Sequence, residues 1–163
     1  MKIGITGHQD LGNTDSIDWL KKELIFEFNN IKISKGYSCL ARGADQLFVE
    51  LLFELNIPYV AVIPCKNYES TFDVEFINKY FLLRNKAERL DELNFEEPSE
   101  IAFYQAGKKV TDYSDILFGI WNEQSAKGLG GTGDIIEYAK SINREIIILN
   151  PQTKSKNKIN HGN

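Results

Sequence analysis

Four glycines fall within six residues in KGLGGTGD, Lys127 to Asp134, between an apolar run and a helical pattern. Without side chains, backbone N–H groups can approach an anion closely, and a following helix adds the positive end of its dipole. Thr132 offers a hydroxyl donor and Lys127 a charge. Gly128, Gly130, Gly131, Thr132 and Lys127 therefore read as a phosphate cradle, with Asp134 beside them. The plainer alternative, a loop that only turns the chain, does not need so many glycines.

Three further segments carry polar chemistry. GITGHQDLG places Gly7 where a ligand can come close, and His8 as either a ligand contact or a loop cap. This segment lacks the G-x-G-x-x-G fingerprint, and no acid ends the second strand to hold a ribose hydroxyl. A nicotinamide or flavin dehydrogenase is thereby disfavoured, and no cofactor is expected. LARGAD sets Arg42 and Gly43 just before a helix, where a guanidinium can pair with phosphate in a fork. Asp45 then either caps that helix's first turn or holds a hydroxyl. Trp121 and Asn122 end an apolar run beside the glycine loop, as a stacking surface and a ring or sugar reader. Tyr68 and Tyr104 are further aromatic candidates, each equally readable as core.

The elements that position these loops alternate regularly. KIGIT (2–6), GYSCLA (36–41), PYVAVIP (58–64), DILFGIW (115–121) and EIIILN (145–150) read as strands. The third is apolar on both faces, as the interior of a parallel sheet requires. Between them, Ile17, Leu20, Leu24, Phe28 and Ile31 recur at helical spacing, as do Ala44, Leu47, Phe48, Leu51, Leu52 and Leu55. Residues 70–90 predict one long helix, 98–110 another, and 130–141 a last one. Repeated β–α units imply a single α/β domain of three layers over residues 1–150, with an open, mostly parallel sheet. In such sheets ligands bind beyond the carboxyl ends of the strands, which selects the same loops independently.

Residues 151–163 carry Lys154, Lys156 and Lys158 and read as a disordered basic tail. The net charge of −4 argues against a broad nucleic-acid surface, so no nucleic-acid partner is expected. No apolar run suits a membrane or a signal peptide, which predicts a cytoplasmic protein without a membrane partner. Two separated cysteines, Cys39 and Cys65, read as reduced thiols. With only His8 and His161 besides, no metal site is expected.

The loops together resemble the SLOG superfamily, the Rossmann-like group that contains the Lonely Guy hydrolases and the DprA proteins. The matching stretches are ITGHQDL, SCLARGADQLFVE, VAVIPCKNYESTF, AFYQAGKKVTDYSDILFGIWN and GLGGTGDIIEYA, in order from residue 3 to about residue 149. The pattern is most similar to the branch linked to bacterial conflict systems. The resemblance implies a Rossmann-like domain holding a nucleotide or nucleotide-derived signal, such as a cyclic ADP-ribose-like second messenger. It also implies pairing into a homodimer or higher homo-oligomer. The chain departs from the hydrolase motif GGxGTxxE: three residues after Thr132 stands Ile135, where the catalytic glutamate would be. Gln9 stands where an arginine is common, and Arg42 where an acid is common.

The residues therefore favour a binding module that senses or sequesters a nucleotide signal, in the manner of an antagonist of anti-phage defence. The alternative is a nucleotide N-glycoside or phosphoribosyl hydrolase. That chemistry needs a carboxylate near the anomeric carbon. Its catalytic residue is unassigned, with Asp134 the first candidate, then Asp45 and Glu137. A DprA-like single-strand-binding role is the third reading, disfavoured by the acidic balance.

Overall fold

The computed structural model describes residues 1–125 and 128–160. Seven strands form one sheet in the order β4-β3-β2-β1-β5-β6-β7. They are β1 (Lys2–Gly7), β2 (Lys35–Ser38), β3 (Tyr59–Ile63), β4 (Arg89–Glu92), β5 (Ile116–Ile120), β6 (Glu145–Asn150) and β7 (Ser155–Ile159). All neighbours run parallel except β6 and β7, which pair antiparallel from Ile146↔Ile159 to Asn150↔Ser155. The apolar runs in β3 and β5 are buried at every position because helices cover both faces.

Helices α1 (Thr14–Asn30), α2 (Ala44–Glu54) and α3 (Val74–Lys86) belong to one layer, and α4 (Glu100–Tyr113) and α5 (Thr132–Ser141) to the other. One core joins Leu24, Phe28, Phe48, Tyr80 and Phe118. The second joins Val110, Leu117, Ile135, Ile136 and Ile148. This division follows from the strand order. The chain walks outward from β1 to β4, then returns through α4 to β5 and walks the other way. Right-handed crossovers in opposite directions place their helices on opposite faces. The reversal falls between β1 and β5, paired from Ile3↔Ile116 to Gly7↔Ile120. This three-layer, mostly parallel arrangement is the predicted Rossmann-like α/β fold.

Two sequence expectations change. Residues 70–90 do not form one helix: a 3-10 turn (Tyr68–Thr71) precedes α3, and the strand β4 follows. Phe72 and Asp73 are extended, which interrupts the helical pattern. The expected disordered tail is also corrected, because residues 155–159 form β7. Lys156 bridges Glu23 and Glu27 at 2.8 and 2.9 Å, and Lys158 bridges Glu27 at 2.7 Å. Two of the three lysines that suggested a solvated tail instead neutralise two carboxylates of α1. Among the described residues no helix is long and apolar enough to cross a membrane.

Candidate functional site

A cleft of about 600 Å³ opens at the carboxyl ends of the strands, over the reversal between β1 and β5. Its volume lies within the range of small-molecule sites. One wall is the loop after β1, with Gly7, His8 and Gln9, joined by Cys39, Arg42 and Asp45 from the β2–α2 segment. The opposite wall is the start of α5, with Gly130, Gly131, Thr132 and Gly133. Tyr68 and Phe72 close one side, and Phe103 of α4 reaches in from the other layer. Trp121 and Asn122 stand between the walls.

The start of α5 is built for an anion. Its N-cap, Gly131, provides no side-chain hydrogen bond. Intrahelical bonding begins with the amides of Asp134 and Ile135, both donating to the Gly131 carbonyl. The amides of Thr132 and Gly133, in the first turn and lining the cleft, have no intrahelical acceptor and are thus the available donors of the helix dipole. Gly130 has φ +87°, and a side chain there would press on the backbone of Glu100 and Tyr104 in α4. Glycine is required for the loop to lie against α4.

Arg42 faces the cleft from across β1. Its Nη1 lies 3.4 Å from Asp73 Oδ2, and its guanidinium sits over the Phe76 ring at 4.5 Å. Its buried Nε has no hydrogen-bond partner among the described residues. His8 is a joint between walls: its Nε2 accepts from the Asn122 backbone N–H at 3.1 Å, which places its proton on Nδ1. Its own backbone N–H donates to Ile120, and its carbonyl accepts from Ala44. Asn122 Oδ1 accepts from the Gln124 amide, and the Trp121 indole donates to the Gln124 carbonyl at 2.8 Å. Both residues expected as ligand readers therefore also brace their own loop.

Asp45 is only 5 % exposed, yet it lines the cleft. Ser38 Oγ and the Cys39 amide donate to its Oδ2, each at 3.0 Å. Burial raises its pKa to about 7, and those hydrogen bonds only partly oppose the shift. The neighbouring thiol of Cys39 is pushed up by burial and then by Asp45. Burial, Cys39 and Asp45 likewise push up the phenol of Tyr68.

Of the expected residues, Gly7, His8, Arg42, Asp45, Tyr68, Trp121, Asn122, Gly130, Gly131 and Thr132 meet in the cleft. Gly43, Gly128 and Asp134 lie outside its lining. Gly43 has φ +82°, and any Cβ would strike the carbonyls of Gln9 and His8. It locks two loops together. Gly128, at φ +101°, packs towards Glu100. Asp134 Oδ2 accepts from the Gly130 amide at 3.0 Å, turning back to brace its loop rather than into the cleft. The leading candidate for catalysis is therefore displaced by Asp45 as the carboxyl at the cleft. Lys127 lies outside the described residues, and Tyr104 packs beside Lys108 instead. Phe72, Phe103 and Gly107 line the cleft unforeseen. Of these, only Gly107 left a trace in the sequence, as a residue without a side chain on α4, where Ile135 packs closely.

No family model matches the chain, and no curated protein matches it. Solved structures do. DNA processing protein A (DprA) from Streptococcus pneumoniae matches over 90% of this chain and 49% of its own, with TM-score 0.62 and 14% identity. DprA from Helicobacter pylori, described with a single-stranded DNA binding mode, matches over 92% and 65%, with TM-score 0.63 and 17% identity. The structural-genomics protein TM1055 matches over 91% and 73%, with TM-score 0.59 and 14% identity. The chain thus spans about half the length of the first of these and about two-thirds of the second. The expectation of no nucleic-acid partner does not stand. A single-stranded DNA binder shares this architecture, so an acidic balance is no ground for excluding one. At these identities the likeness concerns architecture, and the architecture of this chain is the SLOG-like, DprA-like Rossmann fold.

Proposed function

We propose that the switch-point cleft binds a phosphate-bearing, nucleotide-derived small molecule, and that the protein senses or sequesters it. The observation that carries this reading is the pairing of free helix-start amides, at Thr132 and Gly133, with Arg42 across one cleft. Both are phosphate donors. Phe72, Phe103 and Trp121 supply the flat apolar surface that a base needs. A cyclic ADP-ribose-like signal fits this chemistry, and holding it away from a receptor would make the protein an antagonist of nucleotide-signalled defence.

Asp45 favours a second reading. A carboxyl that stays protonated near neutral pH can act as a general acid. The chemistry would be cleavage of a base–ribose bond, and it differs from sequestration by the release of free base. The single-stranded DNA binding of DprA makes an oligonucleotide the natural competitor in any assay.

Thr132 offers a clean test because it is the first residue of α5, where proline is tolerated. Thr132→Pro removes the amide donor, and Thr132→Ala removes only the hydroxyl. With AMP, ADP-ribose and cyclic ADP-ribose as probes in calorimetry, Thr132→Pro weakens binding by about tenfold or more. Thr132→Ala weakens it less. Chromatography of the denatured mixture recovers the ligand intact. No binding of any probe overturns the proposal. Release of base that depends on Asp45 selects the hydrolase, and tighter retention of a single-stranded oligonucleotide than of any nucleotide selects a strand.

A further inference from the structure

A second cavity, of about 360 Å³, shares His8, Gln9 and Asn122 with the main cleft. These three residues line both spaces, and two of them are joined by the hydrogen bond from Asn122 N–H to His8 Nε2. Its other walls come from the β1–α1 loop, the first turn of α1 and the residues after β6, including Asp10, Gly12, Ser16 and Gln152.

The chemistry of the two spaces differs. The main cleft holds Arg42 and the free amides of α5. Among the described residues, no lysine or arginine lines the lateral cavity. Two amides in its wall are already used: Gly12 donates to Asp10 Oδ1 at 2.9 Å, and Ser16 to Asn13 Oδ1 at 2.9 Å. Asp10 adds a negative charge. An anion is disfavoured there, whereas a carboxylate, a hydroxyl and carboxamides suit an uncharged polyhydroxyl group.

We infer that the lateral cavity receives an uncharged sugar attached to the nucleotide held in the main cleft, past the shared residues His8 and Asn122. The ligand class is a nucleoside diphosphate esterified to a second sugar, with its charge in the main cleft and that sugar in the lateral cavity. This inference rests on the proposed nucleotide binding in the main cleft.

The test compares ADP with ADP-ribose and ADP-glucose by calorimetry on the whole chain. The second sugar adds hydroxyls and reduces negative charge, so any gain in affinity is not a phosphate effect. At least one of the two nucleotide sugars binds tenfold or more tightly than ADP. Gln152→Trp, which fills the lateral cavity from an exposed position, removes that gap and leaves the affinity for ADP within twofold. Ser16→Leu, filling it from α1, gives the same loss. Equal affinity for ADP and both nucleotide sugars, with ADP bound, overturns this inference and leaves the main-cleft reading intact. A gap that survives both substitutions also overturns it. Failure of ADP itself to bind overturns both readings.

Discussion

Glu27 and Asp45 are both withdrawn from water, at 1 % and 5 % exposure, in the same layer of the same domain. Their protonation shifts in opposite directions. Burial pushes the Glu27 carboxyl up, but hydrogen bonds from Lys158 and Lys156, with their charges, outweigh it and leave its pKa below the ordinary value. Asp45 has only neutral donors, the Ser38 hydroxyl and the backbone N–H groups of Cys39 and Ala41, and burial wins. At the sheet edge the chain sets two lysines of β7 against a buried carboxylate. At the cleft it leaves one uncompensated. An uncompensated group beside a cavity is where binding or proton transfer is expected.

The contrast breaks first at Asp45. Between its unfolded value of 3.8 and its folded value of about 7, the folded chain binds more protons than the unfolded one. Stability therefore falls as pH rises through that window. Asp45→Asn keeps an oxygen acceptor for Ser38 and removes the titration. Relative to wild type, its stability rises by about 3 kcal/mol between pH 4 and pH 8, measured by urea unfolding. A constant difference across that range removes the uncompensated charge from the account.

Glu27 behaves in the opposite sense. Its lowered folded pKa gives stability that is present above the ordinary carboxylate range and lost as pH falls through the folded value. Glu27→Gln costs about 3 kcal/mol at pH 7, the low end for breaking a buried ion pair, since both lysines remain partly in water. The loss appears in urea unfolding and as faster amide exchange in residues 155–159. Unchanged exchange there detaches β7 from the lysine–glutamate network.

The smallest effect sharpens the comparison. Ser38 Oγ donates to the Asp45 carboxylate, a bond that favours ionisation. Ser38→Ala raises the Asp45 midpoint by about half a unit, read by carbon NMR of the carboxyl. A downward shift contradicts the assignment of that hydrogen bond.

The same division explains what the sequence discloses. Interior strands such as YVAVI and ILFGI are continuous apolar runs, and they announce a parallel sheet. The edge strands RLDE and SKNKI do not, because an edge is half in water and its residues are chosen for charge. The loops were legible through their glycines, but glycine type does not distinguish a ligand approach from a backbone approach. Gly43 and Gly130 illustrate the difference, since their missing side chains make room for neighbouring loops and helices. Asp134 looked catalytic for its spacing from Thr132, but its carboxylate closes on Gly130 four residues earlier. Phe103 reaches the cleft only because α4 crosses the sheet between β4 and β5. Local pattern carries no trace of that path.

Amide NMR during titration with AMP tests the central claim most directly. The account predicts that the Thr132 and Gly133 amide protons move downfield with saturation, together with the Arg42 Nε–H. Saturable binding that leaves all three resonances in place would contradict it.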